Sequence, residues 1–352
     1  MGSLPVVSFV FLQEYTYFCK KKLSKTIIIM KIVVLDGYVG NPGDLSWEPL
    51  ERLGDVTVYP RSKPEEIVER ALPADVLLTN KVVFDRALIE ALPNLKFIGV
   101  IATGFNIVDI DAANERGIYV ANVPAYSTAS VSQVAIAHLL NMTTHAEHYT
   151  REARDGVWSR SIDYTYCSAP FIELDGKTMG IVGLGNIGSA VARVTAAFGM
   201  RVLAYTSKPQ EALPPYITRA ESLDQLFSEC DAVSLHCPLT ADTRGMVDAR
   251  RLALMKPTAM LINTSRGPLI VEKDLAEALR NGVIAAAAVD VLCQEPPAAD
   301  NPLLSLDNCY FTPHIGWTSP EARQRLMDVV VANVRSFMEG NPINIVNNPI
   351  NR

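Results

Sequence analysis

The sequence predicts an α/β protein built from two doubly wound parallel sheets. Three observations predict this class. Short apolar runs alternate with helix-like segments in two separate blocks. The second block opens on a glycine-rich turn set between an apolar run and an amphipathic segment. The chain has 352 residues, enough for two domains with sizeable cores.

The compact pattern begins at Met30. Residues 1–29 read as an N-terminal extension with no fold role. Their short apolar run precedes a Lys cluster, the reverse of a secretory signal, and is too short to span a bilayer. In the first block, strands are expected at Ile32–Leu35, Val56–Tyr59, Val76–Thr79, Phe97–Ile101 and Ile118–Ala121. Helices are expected near Trp47–Leu53, Glu65–Ala71, Arg86–Leu92 and Val108–Arg116. Ser127–Tyr149 reads as one long helix. From Thr178 the second block supplies the strands "MGIVG", "RVLAY", "AVSLH", "AMLIN", "AAAAVDV" and "YFTP". Ile187, Ala190, Val191, Val194 and Phe198 share one helix face, which Gly199 ends. A last helix, Glu321–Met338, carries an apolar stripe of Leu326, Val329, Val330 and Val334. No short-period repeat or low-complexity linker interrupts the pattern. The expected division is residues 30–125 with 317–352 as one domain and 126–316 as the other, with a cleft between them.

Composition narrows the function classes. Apolar residues make up 49% and charged residues 20%, a soluble globular profile. The net charge of −6 and the lack of a basic run in the folded part argue against nucleic acid as the main partner. No later segment is long and apolar enough to cross a membrane. Six cysteines without C-x-x-C spacing fit reduced thiols in the cytoplasm better than disulfides or a zinc site. His138, His145 and His148 are placed on one helix. His145 and His148 could share a metal, but no carboxylate-rich partner segment is evident, so no metal is expected.

The segment "GIVGLGNIGSAVAR" places Gly183, Gly185 and Gly188 in a G-x-G-x-x-G pattern between strand and helix. In that context Gly183 allows a tight turn, Gly185 lets backbone approach a pyrophosphate, and Gly188 lets the helix pack on the strand. Asn186 and Ile187 open the helix, whose free N–H groups and dipole favour phosphate. Cys237, Pro238 and Thr264, just past two further strands, join them as expected cofactor contacts. Arg266 and His314 each follow a predicted strand end, and Glu295 lies a few residues past another. In a doubly wound sheet those ends line one crevice. There a guanidinium can grip a carboxylate with two bonds, and a histidine can pass a proton to a substrate oxygen. A carboxylate beside that histidine favours imidazolium. These are the parts needed to reduce a 2-keto acid.

The combination "GKTMGIVGLGNIG", "HCPLTADTRGMVD", "LINTSRGPLIVEKDLAEAL", "AAVDVLCQEPP" and "NCYFTPHIGW" resembles the D-isomer-specific 2-hydroxyacid dehydrogenase family, from Met30 onward. Within it, "TPHIGWTSPEARQRL" and "DGYVGNPGDLSWEPLERLG" look most like the glycerate dehydrogenase, or hydroxypyruvate reductase, branch. The resemblance implies a flavodoxin-like substrate domain, a Rossmann cofactor domain and a homodimer. It implies Arg266, Glu295 and His314 as the catalytic trio, with Asp290 meeting the nicotinamide carboxamide. It implies that the Ala102–Gly104 turn, through Thr103 and Gly104, presents N–H groups to the substrate carboxylate, and that Trp317 walls the pocket. Lys81, past a strand end of the first block, is a further candidate for that carboxylate, and equally an ordinary surface lysine.

Two positions depart from the family pattern. Gln133 in "SVSQVA" stands where Glu is common. Thr206 stands where relatives that prefer NAD usually carry Asp. An Asp there would accept bonds from the ribose hydroxyls and repel a 2′-phosphate. Thr206 removes that repulsion, Ser207 offers a hydroxyl donor and Lys208 a cation. The loop favours NADPH slightly and does not exclude NADH; it holds no Arg, the more directional grip. The leading function is NAD(P)-dependent reduction of hydroxypyruvate or glyoxylate to D-glycerate or glycolate. The alternatives are a phosphoglycerate or lactate type of dehydrogenase, and a nucleotide-sensing regulatory protein on the same fold. Formate dehydrogenases would call for Gln at Glu295. His236 is expected to be a packing or cofactor-side residue, and Cys293 an inert thiol.

Overall fold

The structure, a computed structural model, describes residues 29–350. The expectation for residues 1–29 therefore lies, but for Ile29, outside the described residues. The chain divides into two compact units. One runs up to Pro124 and resumes at Met327; the other is Ala125–Leu326. The chain crosses first between Pro124 and Ala125, and again inside the helix Pro320–Met338, ten residues beyond the second boundary expected from sequence at 316/317.

In the first unit the apolar runs pair side by side as β1 (Lys31–Val34), β2 (Asp55–Val58), β3 (Val76–Thr79), β4 (Phe97–Val100) and β5 (Tyr119–Ala121). All pairs are parallel, and the order is β2-β1-β3-β4-β5. Every residue of β3 and β4 is buried, as expected for strands covered on both faces. The core on one face gathers Leu35, Leu77, Phe84, Ile89, Ile98 and Val120. Phe97 stacks against Phe337 of the C-terminal helix at 4.8 Å.

The second unit adds β6 (Thr178–Val182), β7 (Arg201–Tyr205), β8 (Ile217–Arg219), β9 (Ala232–Leu235), β10 (Met260–Asn263), β11 (Ala286–Val289) and β12 (Cys309–Phe311). They form one parallel sheet in the order β12-β11-β10-β9-β6-β7-β8. Separate apolar clusters cover its two faces, one around Leu226, Phe227 and Leu261, the other around Leu139, Met179 and Ile262. The strand ends lie within two residues of those read from the sequence, but β8 is an addition.

One expected element breaks. Ser127–Tyr149 is not a single helix: Thr128–Thr144 stops, His145 is left-handed at φ 51°, and a second helix runs Ala146–Arg154. Thr143 and Thr144 turn their hydroxyls back onto the carbonyls of Leu139 and Leu140, which competes with the helical ladder. The three histidines thus do not share a helix. His138 is buried in the first, His145 sits at the break against the Tyr310 hydroxyl, and His148 in the second faces Ser168.

Candidate active site

Within the second unit, the glycine-rich turn leaves β6 beside β9, where the strand order reverses; ligands of open α/β sheets bind at that point. Gly183 is left-handed, at φ 93°, and a Cβ on it would lie 2.9 Å from the His236 carbonyl oxygen. Gly188 packs so closely on the Gly183 carbonyl that no Cβ fits. Gly185, which caps the helix Asn186–Ala197, has nothing within 4 Å of its Cβ position. The protein's own packing thus requires the first and third glycines but not the second. Close approach by a ligand explains the second, and the helix start beyond it presents free N–H groups.

Two buried side-chain atoms lack a partner among the described residues: His236 Nδ1 and Thr264 Oγ1. Each follows the end of a strand next in line to β6, His236 after β9 and Thr264 after β10. A buried polar atom left unbonded is costly, so such orphans mark where a ligand or water completes the site. Burial holds the His236 ring neutral, its pKa pushed down to about 4. Cys237 carries its backbone N–H against Gly183, and burial raises its thiol. Pro238 takes the Thr243 hydroxyl on its carbonyl at 2.7 Å. The open Gly185 cradle, the helix start and the two orphans fit a dinucleotide.

Past β7, the Thr206 hydroxyl accepts the Lys208 amide at 3.3 Å, and Ser207 between them is exposed. The Lys208 ammonium reaches back to the Leu184 carbonyl inside the glycine-rich turn at 3.0 Å. The loop itself holds no arginine, but one reaches it from the neighbouring strand. Arg219, at the end of β8, donates through Nε to the Thr206 carbonyl at 3.3 Å. Sequence reasoning missed it because β8 has three residues, two of them exposed, and no apolar run to mark it.

The catalytic candidates sit at the ends of β10, β11 and β12. Gly267 packs so tightly on the Leu292–Cys293 backbone that only glycine fits, which draws Arg266 toward the chain leaving β11. Asn263 fixes this corner, its amide donating to the Arg266 carbonyl at 2.8 Å. The Glu295 carboxylate takes the Leu292 amide at 2.9 Å on one oxygen and His314 Nδ1 at 2.7 Å on the other. Burial pushes the Glu295 carboxyl up, but the His314 ring, the Leu292 amide and the charge of Arg266 outweigh it, and the net shift is downward. Glu295 is therefore ionised, Nδ1 must donate to it, and Nε2 is left to face a substrate.

His314 holds a left-handed backbone, φ 54°. Asp290 explains how. This carboxylate is 2% exposed and accepts the amides of Ile315 at 2.8 Å and Gly316 at 2.9 Å and the hydroxyl of Thr312 at 2.6 Å. Its own carbonyl takes the His314 amide at 2.8 Å. Thr312 in turn contacts buried His138 at 3.0 Å. Oδ1 thus takes two bonds from the His314 turn and Oδ2 one, which leaves acceptor capacity on Oδ2. Trp317 meets Tyr126 edge-on at 6.4 Å, and burial raises the Tyr126 hydroxyl to about 12. Burial likewise raises the Cys293 thiol, to about 11, and its sulfur rests on the Ile270 carbonyl. Gln133 lines a cavity of about 540 Å³ with Tyr126, Ser132, Arg193 and Arg325, a lining that holds neither Glu295 nor His314.

In the first unit, the Thr103 hydroxyl donates to the Val123 carbonyl at 2.8 Å, and the Thr103 carbonyl accepts from Asn122 at 2.7 Å. The Lys81 amide is bonded to Asp36, with the residue itself exposed. No group of three metal-ligating side chains occurs among the described residues.

Residues 136–316 match the family model described as D-isomer specific 2-hydroxyacid dehydrogenase, NAD binding domain. The chain is 48% identical over 321 residues to the hydroxypyruvate reductase of Blautia hydrogenotrophica, covering 90% of this chain and 100% of that one. It is 39% identical over 285 residues to the glycerate dehydrogenase of Methylorubrum extorquens, covering 80% and 88%. Among solved structures it resembles the NADPH-dependent glyoxylate/hydroxypyruvate reductase of Sinorhizobium meliloti in complex with NADP and malonate. The TM-score is 0.76 at 30% identity, over 92% of this chain and 98% of that one.

Proposed function

The chain belongs to the D-isomer specific 2-hydroxyacid dehydrogenase family, and on that premise we propose that it reduces hydroxypyruvate and glyoxylate to D-glycerate and glycolate, with NADPH favoured over NADH. The observation that carries the reading is the 2.7 Å bond from His314 Nδ1 to ionised Glu295. A bound nicotinamide cofactor supplies the hydride for the keto carbon. His314 supplies the proton to the keto oxygen from Nε2, and Glu295 orients the ring by accepting from Nδ1. Arg266, whose charge reaches Glu295, grips the substrate carboxylate with its planar fork. Thr103, Gly104 and Lys81 are substrate contacts of the first unit, and Trp317 a pocket wall of the second. Asp290 holds the turn that aims His314.

The cofactor is held by Gly183, Gly185 and Gly188, by the opening residues Asn186 and Ile187, and by Cys237, Pro238 and Thr264. The loop Thr206–Ser207–Lys208 faces the adenosine ribose, and its lack of a carboxylate supports NADPH. The enzyme works as a cytoplasmic homodimer. Five cysteines of the described residues are unpaired thiols, and Trp158, Ile162, Tyr164 and Phe171 form an exposed apolar stretch that a second copy would cover.

Initial rates with hydroxypyruvate, compared for NADPH and NADH at equal concentration, test the proposal. Turnover with NADPH ahead is expected, and His314→Ala should lower it by about 10² to 10⁴. Turnover that survives His314→Ala nearly unchanged would remove the acid–base assignment. No turnover with either coenzyme would remove the substrate.

A further inference from the structure

The loop after β7 has a cationic partner from the neighbouring strand. Parallel pairing sets Ala204 of β7 opposite Arg219 of β8, one residue short of the strand end. The next peptide continues the ladder, Ala220 N–H to Ala204 carbonyl at 2.8 Å. Gln210 locks the corner: its side chain takes the Arg219 amide at 2.7 Å and donates to the Ile217 carbonyl at 3.0 Å. Arg219 is thus fixed by its backbone on both sides. Its side chain spends only Nε, on the Thr206 carbonyl. The two terminal nitrogens of the guanidinium carry no hydrogen bond among the described residues, and no carboxylate there forms an ion pair with Arg219 or Lys208. The Lys208 ammonium, from the same loop, is tied to Leu184 of the glycine-rich turn. The strand end at Thr206 thus bears no acid, and it carries two cations, one from its own loop and one from the neighbouring strand.

We propose that Arg219 is a specificity-determining residue, gripping the 2′-phosphate of NADPH with its free fork while Lys208 adds a second positive charge. The inference rests on the reading of this unit as an NADPH site and names the directional grip that reading requires. A guanidinium suits the task better than an ammonium, since its two parallel donors match two phosphate oxygens.

The test is binding, with no turnover involved. The full chain, its Arg219→Ala, Arg219→Lys and Lys208→Ala variants are titrated by calorimetry with 2′,5′-ADP and with 5′-AMP, which differ only in the 2′-phosphate. The parent should bind 2′,5′-ADP the more tightly. Arg219→Ala should lose about 10- to 100-fold for 2′,5′-ADP and stay within about twofold for 5′-AMP. Arg219→Lys, which keeps charge without the fork, should fall between the two. If the parent prefers 2′,5′-ADP and Arg219→Ala keeps that preference, the assignment of Arg219 is wrong and the NADPH reading stands. If Arg219→Ala loses both probes equally, Arg219 serves the loop's structure and the proposal fails. If the parent does not distinguish the probes, the NADPH reading fails, and this inference with it. Arg219 is exposed on an edge strand, so matched thermal midpoints would show that the variants fold.

Discussion

His314 shows how one residue's placement depends on several others. A left-handed backbone costs a side-chain-bearing residue about 1–2 kcal/mol, and here four bonds to Asp290 hold the turn against that cost. Arg266, Glu295 and His314 were legible as catalytic candidates because each follows a strand end in a chemically telling motif. The task of Asp290 was not, because its partners are backbone amides of a turn whose conformation no residue type announces. Glu295 gives the sharpest residue-scale prediction. Its folded pKa is lowered, so it stays ionised through the neutral range and holds the His314 ring by accepting from Nδ1. Glu295→Gln keeps an acceptor for Nδ1 and removes the charge. Hydroxypyruvate turnover at neutral pH should fall by about 10- to 100-fold. Turnover left unchanged by Glu295→Gln would make Glu295 a spacer.

At the scale of elements, periodicity located the strands because parallel strands covered on both faces read as unbroken apolar runs. It failed at β8, which is short and lies on the sheet edge, and at His145, where threonine hydroxyls end a helix that hydrophobic spacing alone would continue. The glycine-rich turn was legible as a pattern, but only its geometry separates the glycines by role, and that separation can be measured. Gly188→Ala drives a methyl into the Gly183 carbonyl and should lower stability by about 1–3 kcal/mol in thermal or denaturant unfolding. Gly185→Ala meets no protein atom and should unfold like the parent, yet bind NADPH at least about tenfold more weakly because its methyl occupies the approach to the pyrophosphate. Undiminished NADPH binding by Gly185→Ala would return the turn to a purely structural role.

For the whole molecule, length and the repeated strand–helix alternation announced two α/β sheets. No loop composition marks the second crossing between units, because it falls within the continuous helix Pro320–Met338. Buried His138 and the partly shielded ring of His236 make the stability of the second unit depend on pH, and the sign follows from their environment. His236 as a residue is partly exposed, but its Nδ1 is shielded, and the proton must go to the ring. Unfolded, a histidine protonates near pH 6.5; folded, His236 does so only near 4. Between those values the unfolded chain binds more protons, so stability is full above about pH 6.5 and declines as pH falls toward 4. His138 is lowered by burial, against the opposing pull of Asp290, and adds in the same direction. From pH 7.5 to 5 the His236 contribution is at most about 2 kcal/mol, reduced by whatever water its partial exposure admits. His236→Gln preserves a polar group for the Ser234 hydroxyl, now 2.9 Å from Nε2, and cannot take up the proton. Denaturant unfolding at pH 7.5 and pH 5 should show the variant losing less stability than its parent. A variant that loses as much would assign the acid sensitivity to His138 and the carboxylates, and would mean that the His236 ring reaches water despite its enclosure.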